Sequence, residues 1–280
     1  MLSDIDFKLF EELLKRESGL VVTPDKMYLL ESRLIPIAKK WELDGLTGLA
    51  GKLRMSPDPA LLKEVVEAMT TNETSFFRDN TPFDHFKKVM LPYILEKRAP
   101  TKRLRIWCAA CSSGQEPYSL AMILKDHAAQ LAGWNIEILA TDLDENIMDQ
   151  ARAGIYTQFE VQRGLPINYL VQHFEQKDEK WHIKDDIKNM ITIKKQNLLQ
   201  NFIERGPFDI VFCRNVLIYF DVPTKADIMG RIHGVLAQDG FMVLGGAETV
   251  LGISDKFKPI SEHRGLYLRD DTTNEIQAAG

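Results

Sequence analysis

The stretch from Arg105 to Met122 constrains the fold more than any other part of the chain. Residues 104–107 have the apolar pattern of a buried strand, and an apolar helix follows a short turn. The small residues Ser112–Gly114 let the backbone turn closely around a ligand, and Pro117 suits the first turn of the helix. Because a helix N-terminus presents unpaired N–H groups to an anion, this segment predicts a site for a nucleotide-type cofactor.

The turn alone leaves the kind of cofactor open. A dinucleotide fingerprint needs three glycines and only Gly114 is present, while a P-loop is excluded because no Gly-Lys-Ser/Thr follows. The next predicted strand, 136–141, ends at Asp142, where an acidic residue typically binds ribose hydroxyls. The alternative is that Asp142 only caps the helix beginning near Asp144.

Strands and helices alternate from Leu104 onward, which indicates a mostly parallel, doubly wound Rossmann-like α/β sheet. Ligands of such sheets bind at the carboxyl ends of the strands, where Asp142, Asn197 and Asn215 are expected to meet the turn. The predicted strands are 104–108, 136–141, 191–196, 208–213 and 240–245, and the predicted helices lie near 116–131, 144–153 and 224–236.

The rest of the chain divides around this sheet. Three helical stripes of apolar residues predict an all-helical domain over residues 1–70, with a linker over 71–103 and the α/β domain over 104–269. The stripes are Phe7, Phe10, Leu13 and Leu14, then Met27, Leu30, Leu34 and Ile37, then Leu61, Val65, Ala68 and Met69. Alternation in the segment that starts at Trp181 predicts a small antiparallel β appendage within 157–190, and the polar residues 270–280 predict a disordered tail.

Composition excludes several classes of protein. The net charge of −5 argues against general nucleic-acid affinity, and no apolar run approaches the length of a membrane span. The N-terminus lacks the basic and apolar regions of a signal peptide, and three cysteines, an odd number, point to a reducing compartment, so we expect a cytoplasmic protein. Nothing in the sequence demands more than a monomer.

Cysteine and histidine patterns predict no metal site. Cys108 and Cys111 have C-x-x-C spacing, but no second pair accompanies them and Cys213 is far away, so packing is the expected role. The six histidines form no H-E-x-x-H or comparable cluster.

Two further motifs resemble one family closely. One is Asn72-Glu-Thr-Ser-Phe-Phe-Arg-Asp, and the other is Phe208-Asp-Ile-Val-Phe-Cys-Arg-Asn-Val-Leu-Ile-Tyr-Phe. Together with the turn after residue 108, and in the same order to about Leu268, they resemble chemotaxis receptor methyltransferases of the CheR family. That resemblance implies a methyltransferase sheet with an N-terminal helical domain. It also implies S-adenosylmethionine as cofactor and glutamate side chains of chemoreceptors as substrate.

The resemblance also implies roles for individual residues. Arg78 and Tyr219 are the expected catalytic residues, although a surface charge and a core aromatic are the respective alternatives. Glu116 would meet the methionine ammonium or merely favour a helix N-terminus, and Asn197 would flank the adenine or merely end a strand. The implied cofactor-binding residues are Asn72, Thr74, Arg78, Gly114, Glu116, Asp142, Asn197, Leu198, Asn215 and Val216.

The implied partner is the helical bundle of a chemoreceptor. Arg33, Lys39 and Lys40 are candidates for binding it, and the alternative is a solvated basic helix end. In some relatives the appendage also binds a C-terminal receptor pentapeptide by adding a strand to its sheet. This appendage looks shorter and lacks their glycine-containing turn, so we expect pentapeptide-independent binding.

Three other functions fit the sequence less well. An enzyme methylating nucleic-acid amines would show Asp/Asn-Pro-Pro-Tyr/Phe where this chain has Asn215-Val-Leu-Ile-Tyr. A non-catalytic S-adenosylmethionine or S-adenosylhomocysteine sensor or scaffold in a chemosensory pathway is the main alternative, and Arg78 and Tyr219 argue against it. A small-molecule carboxyl methyltransferase is less consistent with a helical domain placed to recognise something large.

Overall fold

The computed structural model describes residues 2–56, 58–202, 204 and 206–272. Its N-terminal part contains the three predicted helices and a further helix that was not predicted. Ser3 caps the first helix by accepting a hydrogen bond from the backbone N–H of Asp6, and Gly19 ends it in a left-handed conformation with φ of 77°. The helices are α1 (Asp4–Ser18), α2 (Met27–Lys40), α3 (Gly45–Met55) and α4 (Pro59–Met69).

A second group of helices joins this part to the sheet. Pro82 lies in the first turn of α5 (Thr81–His85), and the helical path continues through a wider turn at Phe86–Met90 into α6 (Leu91–Lys97). Phe83, Phe86 and Ile94 are buried in the same core as the sheet. The motif that begins at Asn72 therefore leads directly into helices fixed against the α/β domain.

The remaining elements follow in alternation. The strands are β1 (Arg103–Ala109), β2 (Asn135–Asp142), β3 (Ile155–Thr157), β4 (Phe174–Lys177), β5 (Lys180–Ile183), β6 (Ile191–Lys195), β7 (Phe208–Cys213), β8 (Leu236–Leu244), β9 (Phe257–Pro259) and β10 (Leu266–Arg269). The helices are α7 (Gln115–Asp126), α8 (Glu145–Ala153), α9 (Gln158–Gln162), α10 (Ile167–His173), α11 (Asp185–Lys188) and α12 (Val222–Val235).

The main sheet confirms the predicted parallel arrangement. Its seven strands have the order β6-β2-β1-β7-β8-β10-β9, in which the first five run parallel and the last two pair antiparallel. Ala109 lies opposite both Thr141 and Cys213, and Cys213 lies opposite Leu244. This register brings the carboxyl ends of four central strands to one edge of the sheet.

The antiparallel appendage is a three-stranded sheet of order β3-β5-β4, and it begins slightly earlier than predicted, at Ile155. Two of its aromatic side chains pack edge-on against Phe76 of the upstream motif, Tyr156 at 5.0 Å and Phe174 at 5.6 Å between ring centroids. The Tyr156 hydroxyl also donates to the carbonyl of Ser113 at 2.8 Å. The appendage thereby holds both the motif and the turn after β1.

The predicted tail begins within the described part of the chain. Asp271 is paired with Arg269 at 2.7 Å, whereas residues 273–280 lie outside the described residues. Among the helices in the described ranges, none has the length and apolarity needed to span a membrane.

Candidate functional site

A cavity of about 120 Å³ lies where the parallel strands end. All the residues expected in the site except Gly114 line it: Asn72, Thr74, Arg78, Glu116, Asp142, Asn197, Leu198, Asn215, Val216 and Tyr219. They come from five separate segments of the chain, so the fold brings together residues more than a hundred positions apart.

Gly114 contributes from beneath the cavity rather than from its wall. It precedes α7 with φ of 93°, a left-handed conformation that favours glycine. A Cβ atom at this position would lie 3.0 Å from the Cβ of Ala151 and 3.0 Å from the ring of Tyr118. Gly114 therefore permits the tight turn and the close packing of α7 against α8.

Asp142 presents a buried carboxylate at the end of β2. One oxygen accepts the backbone N–H of Ser112 at 2.8 Å and the other accepts that of Asp144 at 3.0 Å. Burial raises the pKa of this carboxyl, and the backbone N–H bonds oppose the rise. The helix-capping role weighed for Asp142 belongs to Asp144, which accepts the N–H of Asn146 at 3.0 Å.

Glu116 lies in the first turn of α7 and is paired with a residue to which sequence reasoning assigned no role. Burial raises the pKa of Glu116, and Arg214, 2.6 Å away, opposes that rise. The Arg214 side chain is 2% exposed and also donates to Asp79 and to the carbonyl of Arg78, each at 2.9 Å. Its Nε is buried without a hydrogen-bond partner. A charged residue directly after the buried strand β7 was the sequence signal for this role.

The turn carrying Arg78 is unusual in its backbone. Phe77, Asp79 and Asn80 all have positive φ, at 50°, 70° and 48°. The buried ring of Phe77 and a hydrogen bond from its N–H to the Ser119 hydroxyl at 3.0 Å anchor the turn. Arg78 itself is half-buried and donates to the Glu73 carbonyl at 2.7 Å. The anchored Phe77 thus holds Arg78, its neighbour in the motif, at the cavity.

Two of the three expected asparagines, Asn72 and Asn197, form side-chain hydrogen bonds with other residues around the cavity. The Nδ2 of Asn72 donates to Asp144 at 2.7 Å. The Nδ2 of Asn197 donates to the Glu17 carbonyl at 2.7 Å, and its Oδ1 accepts the N–H of Leu199 at 2.9 Å. These residues therefore shape the site through their own positions more than through unpaired amide groups.

The N-terminal helical part supplies wall residues that sequence reasoning missed, namely Ser18 and Leu20. The N–H of Val21 donates to the Tyr219 carbonyl at 3.0 Å. A Cβ atom at Gly19 would lie 2.9 Å from the ring of Phe220, which also lines the cavity. The apolar run that follows α1 departs from the helical pattern, and this was the feature of the sequence that could have pointed to these wall residues.

The basic residues expected to face a partner have different surroundings. Arg33 donates to the carbonyls of Met69 and Thr70 at 2.9 and 2.7 Å, so its guanidinium holds the carboxyl end of α4. Lys40 is paired with Glu64 at 2.8 Å, while Lys39 is exposed. Arg33 therefore serves an internal contact, in contrast to the expected role.

Two other groups of reactive side chains lie in the described part of the chain. Cys108, Cys111 and Cys213 are buried, and burial raises the pKa of each thiol. His233 lies 3.3 Å from Asp270 and 3.6 Å from Asp271, and the Asp271 carboxylate is already paired with Arg269.

Comparison with known proteins agrees with this geometry. Residues 72–266 match the family model of the CheR methyltransferase SAM binding domain, and residues 5–70 match that of the CheR methyltransferase all-alpha domain. Chemotaxis protein methyltransferase 1 of Pseudomonas aeruginosa is 38% identical over 95% of this chain and 98% of its own length. Chemotaxis protein methyltransferase Cher2 of Pseudomonas putida is 36% identical over 95% and 98%. The chain belongs to the CheR methyltransferase family.

Proposed function

We propose that this protein transfers a methyl group from S-adenosylmethionine to glutamate side chains of chemoreceptors. The products would be glutamyl methyl esters, which set receptor adaptation. The observation that carries the proposal is that the strand ends, the turn of Arg78 and the N-terminal helical part together line one cavity. Family membership and relatives named chemotaxis protein methyltransferases support it.

The chemistry of the cavity fits this cofactor. S-adenosylmethionine carries a carboxylate, an ammonium, two ribose hydroxyls and an adenine. The buried, unpartnered Nε–H of Arg214 is a donor suited to an anionic group, and the partly buried Glu116 and the buried Asp142 suit an ammonium and a pair of hydroxyls. Such donors and acids are costly to bury in an apolar environment unless they gain partners.

We assign the binding roles accordingly. Glu116 would accept from the ammonium and Asp142 from the ribose. Asn72, Thr74 and Arg78 would bind from the linker side, with Gly114 shaping the turn beneath. The pairs Asn197-Leu198 and Asn215-Val216 would enclose the adenine.

The bound cofactor supplies a methyl group on a positively charged sulfur, ready for transfer to a carboxylate. A glutamate side chain has an ordinary pKa of about 4.3, so the acceptor is ionised at neutral pH and needs no general base. The protein's task is therefore to orient the acceptor carboxylate and to exclude water. Orientation alone is worth roughly 7–11 kcal/mol in well-placed intramolecular reactions.

Arg78 and Tyr219 are our candidates for this orientation. Arg78 is half-buried at the cavity and donates through one Nη to the Glu73 carbonyl, and its planar fork is suited to binding a carboxylate through two hydrogen bonds. Tyr219 lies at the end of the short turn Leu217–Tyr219 and lines the same cavity, and its carbonyl accepts the N–H of Val21. Its hydroxyl would contact the acceptor or the transferred methyl group.

We further propose that α2 contacts the receptor bundle through the exposed Lys39 and the ion-paired Lys40. Receptor binding would not require a C-terminal pentapeptide, because the β4–β5 hairpin turns in only two residues, Asp178 and Glu179, between the paired residues Lys177 and Lys180. We place the protein in the cytoplasm as a monomer.

The proposal is tested by incubating the protein with methyl-labelled S-adenosylmethionine and a chemoreceptor cytoplasmic fragment. Base-labile label released as methanol identifies a glutamyl methyl ester, and an incubation without the protein is the control for enzyme-dependent labelling. Equal labelling of a fragment lacking its last residues supports pentapeptide independence. Tight binding of S-adenosylhomocysteine without any receptor labelling would favour the sensor or scaffold function instead.

A further inference from the structure

One carboxylate outside the cavity wall binds four backbone N–H groups. The Oε2 of Glu248 accepts the N–H of Asn215 at 2.8 Å and that of Gly245 at 2.7 Å. Its Oε1 accepts the N–H of Val216 at 3.0 Å and that of Leu217 at 2.8 Å. A carboxylate has about four lone-pair sites, so backbone donors occupy the whole group.

The sheet makes this arrangement possible. β7 and β8 are parallel neighbours that end together, with Cys213 opposite Leu244, so the two loops that follow start side by side. Glu248 lies in the second loop and closes a turn by donating its own N–H to the Gly245 carbonyl at 3.0 Å. A Cβ atom at Gly245 would lie 2.8 Å from the Glu248 carboxylate, so only glycine leaves room for it.

The first of these loops carries three of the residues assigned to the site. Asn215 leaves β7 in a left-handed conformation with φ of 58°, and the short helical turn Leu217–Tyr219 follows directly. Three successive N–H groups at the start of this path point to Glu248 and have no acceptor on a neighbouring strand. Glu248 therefore helps to set the direction in which the chain leaves the sheet towards Tyr219, whose carbonyl is held separately by the N–H of Val21.

We infer that Glu248 is a positioning residue for methyl transfer. It acts through the backbone that carries Asn215, Val216 and Tyr219, and it is not among the residues that line the cavity. The inference rests on the proposed function for its catalytic part and on the cavity geometry for its cofactor-binding part.

The substitution Glu248→Gln tests the inference with little change in size. Glutamine keeps one carbonyl oxygen, but its NH₂ group would face two of the four N–H donors, which leaves them unsatisfied and displaces the loop. Glu160→Gln is the matched control. Glu160 also accepts a backbone N–H, that of Thr157 at 2.8 Å, but it belongs to a capping box in the appendage.

Both variants are compared with the natural protein in three measurements: the melting temperature, the affinity for S-adenosylhomocysteine by calorimetry, and kcat for receptor methylation. All are made at a temperature where circular dichroism shows each protein folded. We expect Glu248→Gln to lose at least about tenfold in affinity and about tenfold in kcat, the size of effect of one lost buried hydrogen bond. Glu160→Gln should keep both values whatever its melting temperature.

Unchanged affinity and kcat in folded Glu248→Gln would overturn the inference, because the carboxylate would then serve stability alone. The affinity measurement needs no receptor. A natural protein that binds the product tightly but labels no receptor would therefore contradict the proposed function, and the affinity comparison would still decide the role of Glu248.

If Glu248→Gln does not fold, amide hydrogen exchange of the natural protein decides the question. We expect slow exchange at Asn215, Val216, Leu217 and Gly245, with further slowing when S-adenosylhomocysteine binds. Exchange as fast as that of the exposed Gly246 and Ala247, with and without ligand, would contradict the inference.

Discussion

The guanidinium of Arg214 lies 2.6 Å from the carboxylate of Glu116, and both side chains line the cavity while being largely withdrawn from solvent. The same guanidinium reaches the Arg78 carbonyl and Asp79. One buried cation therefore joins the first turn of α7 to the turn that carries the proposed catalytic arginine. Its effects on both turns can be measured separately.

Replacing Arg214 with methionine removes the cation and keeps an elongated side chain. Burial then acts on Glu116 without its main opposing charge, so the pKa of Glu116 rises further. We expect affinity for S-adenosylhomocysteine to fall at least tenfold at pH 7. Removing one partner of a buried pair also costs about 3–5 kcal/mol of stability.

Calorimetry at pH 6 to 8 on folded protein checks this prediction. Arg103→Met, which removes an exposed ion pair with Glu137, is the control. Natural-like affinity in Arg214→Met across that range would show that Glu116 does not need the cation.

Cofactor binding should also depend on pH in the natural protein. The pKa of Glu116 is raised above its ordinary value because the group is buried, and the ionised form binds an ammonium more strongly than the protonated form does, through a charge-assisted hydrogen bond. Affinity should therefore weaken as pH falls towards that raised pKa and recover as pH rises. In Glu116→Gln the affinity should be low throughout, with a shallower slope that reflects Asp142, whose pKa is also raised. Equilibrium dialysis from pH 8 to 5 measures both curves, and identical slopes would exclude Glu116 as the titrating group.

Arg78 is expected to matter through the geometry of its fork. Arg78→Ala should lower kcat about a hundredfold, the usual effect of misplacing a reactant by about 1 Å. Arg78→Lys keeps the charge but loses the paired hydrogen bonds, so it should recover only part of the activity. Single-turnover methylation at saturating cofactor separates the three proteins. Full activity in the lysine variant would show that only the positive charge of Arg78 is required. Full activity in the alanine variant would show that Arg78 has no part in the mechanism.

For Tyr219 the question is whether the hydroxyl or only the ring is required. Tyr219→Phe keeps the ring against the wall and removes the hydroxyl, so kcat should fall about tenfold while affinity for S-adenosylhomocysteine stays the same. Steady-state kinetics with direct binding measurements check this. If kcat remains normal, Tyr219 is a packing residue.

Gly19 tests the contact between the N-terminal helices and the cavity. Gly19 and Gly252 both have positive φ, 77° and 72°, so alanine costs about 1 kcal/mol of backbone strain at either site. Only at Gly19 does the new Cβ meet another residue, the ring of Phe220 at 2.9 Å, whereas nothing lies within 4 Å at Gly252. We expect both variants to melt at lower temperature and only Gly19→Ala to bind S-adenosylhomocysteine several times more weakly. Equal affinities would show that the contact does not reach the site.

The sheet could be predicted from sequence because buried strands and apolar helices alternate with clear periodicity. Helix α3 could not, because Gly45, Gly48 and Gly51 give its sequence a poor helix propensity. Its helical conformation is stabilised by burial of Leu46, Leu49 and Leu53 in the N-terminal core, a tertiary effect that a local pattern does not contain.

The site likewise combines features that sequence patterns predict with features that only tertiary packing determines. Asp142 and Asn215 were found at the cavity because parallel strands end together, which topology alone dictates. Ser18 reaches the cavity only through the packing of α1 on the loops, and Arg33 is drawn to the end of α4 by carbonyls that no sequence pattern reveals. Contacts between distant segments decided what local patterns left open.

The bonds from Asn197 to Glu17 and from Val21 to Tyr219 use backbone atoms of the helical part. A chimaera made to redirect this enzyme to another receptor would therefore fail if it exchanged α1 together with the segment that follows. A junction after Val22 keeps those bonds, and a second junction before Met69 keeps Met69, Thr70 and Thr71, which also line the cavity. A recognition surface grafted between the two junctions then leaves the cavity wall unchanged.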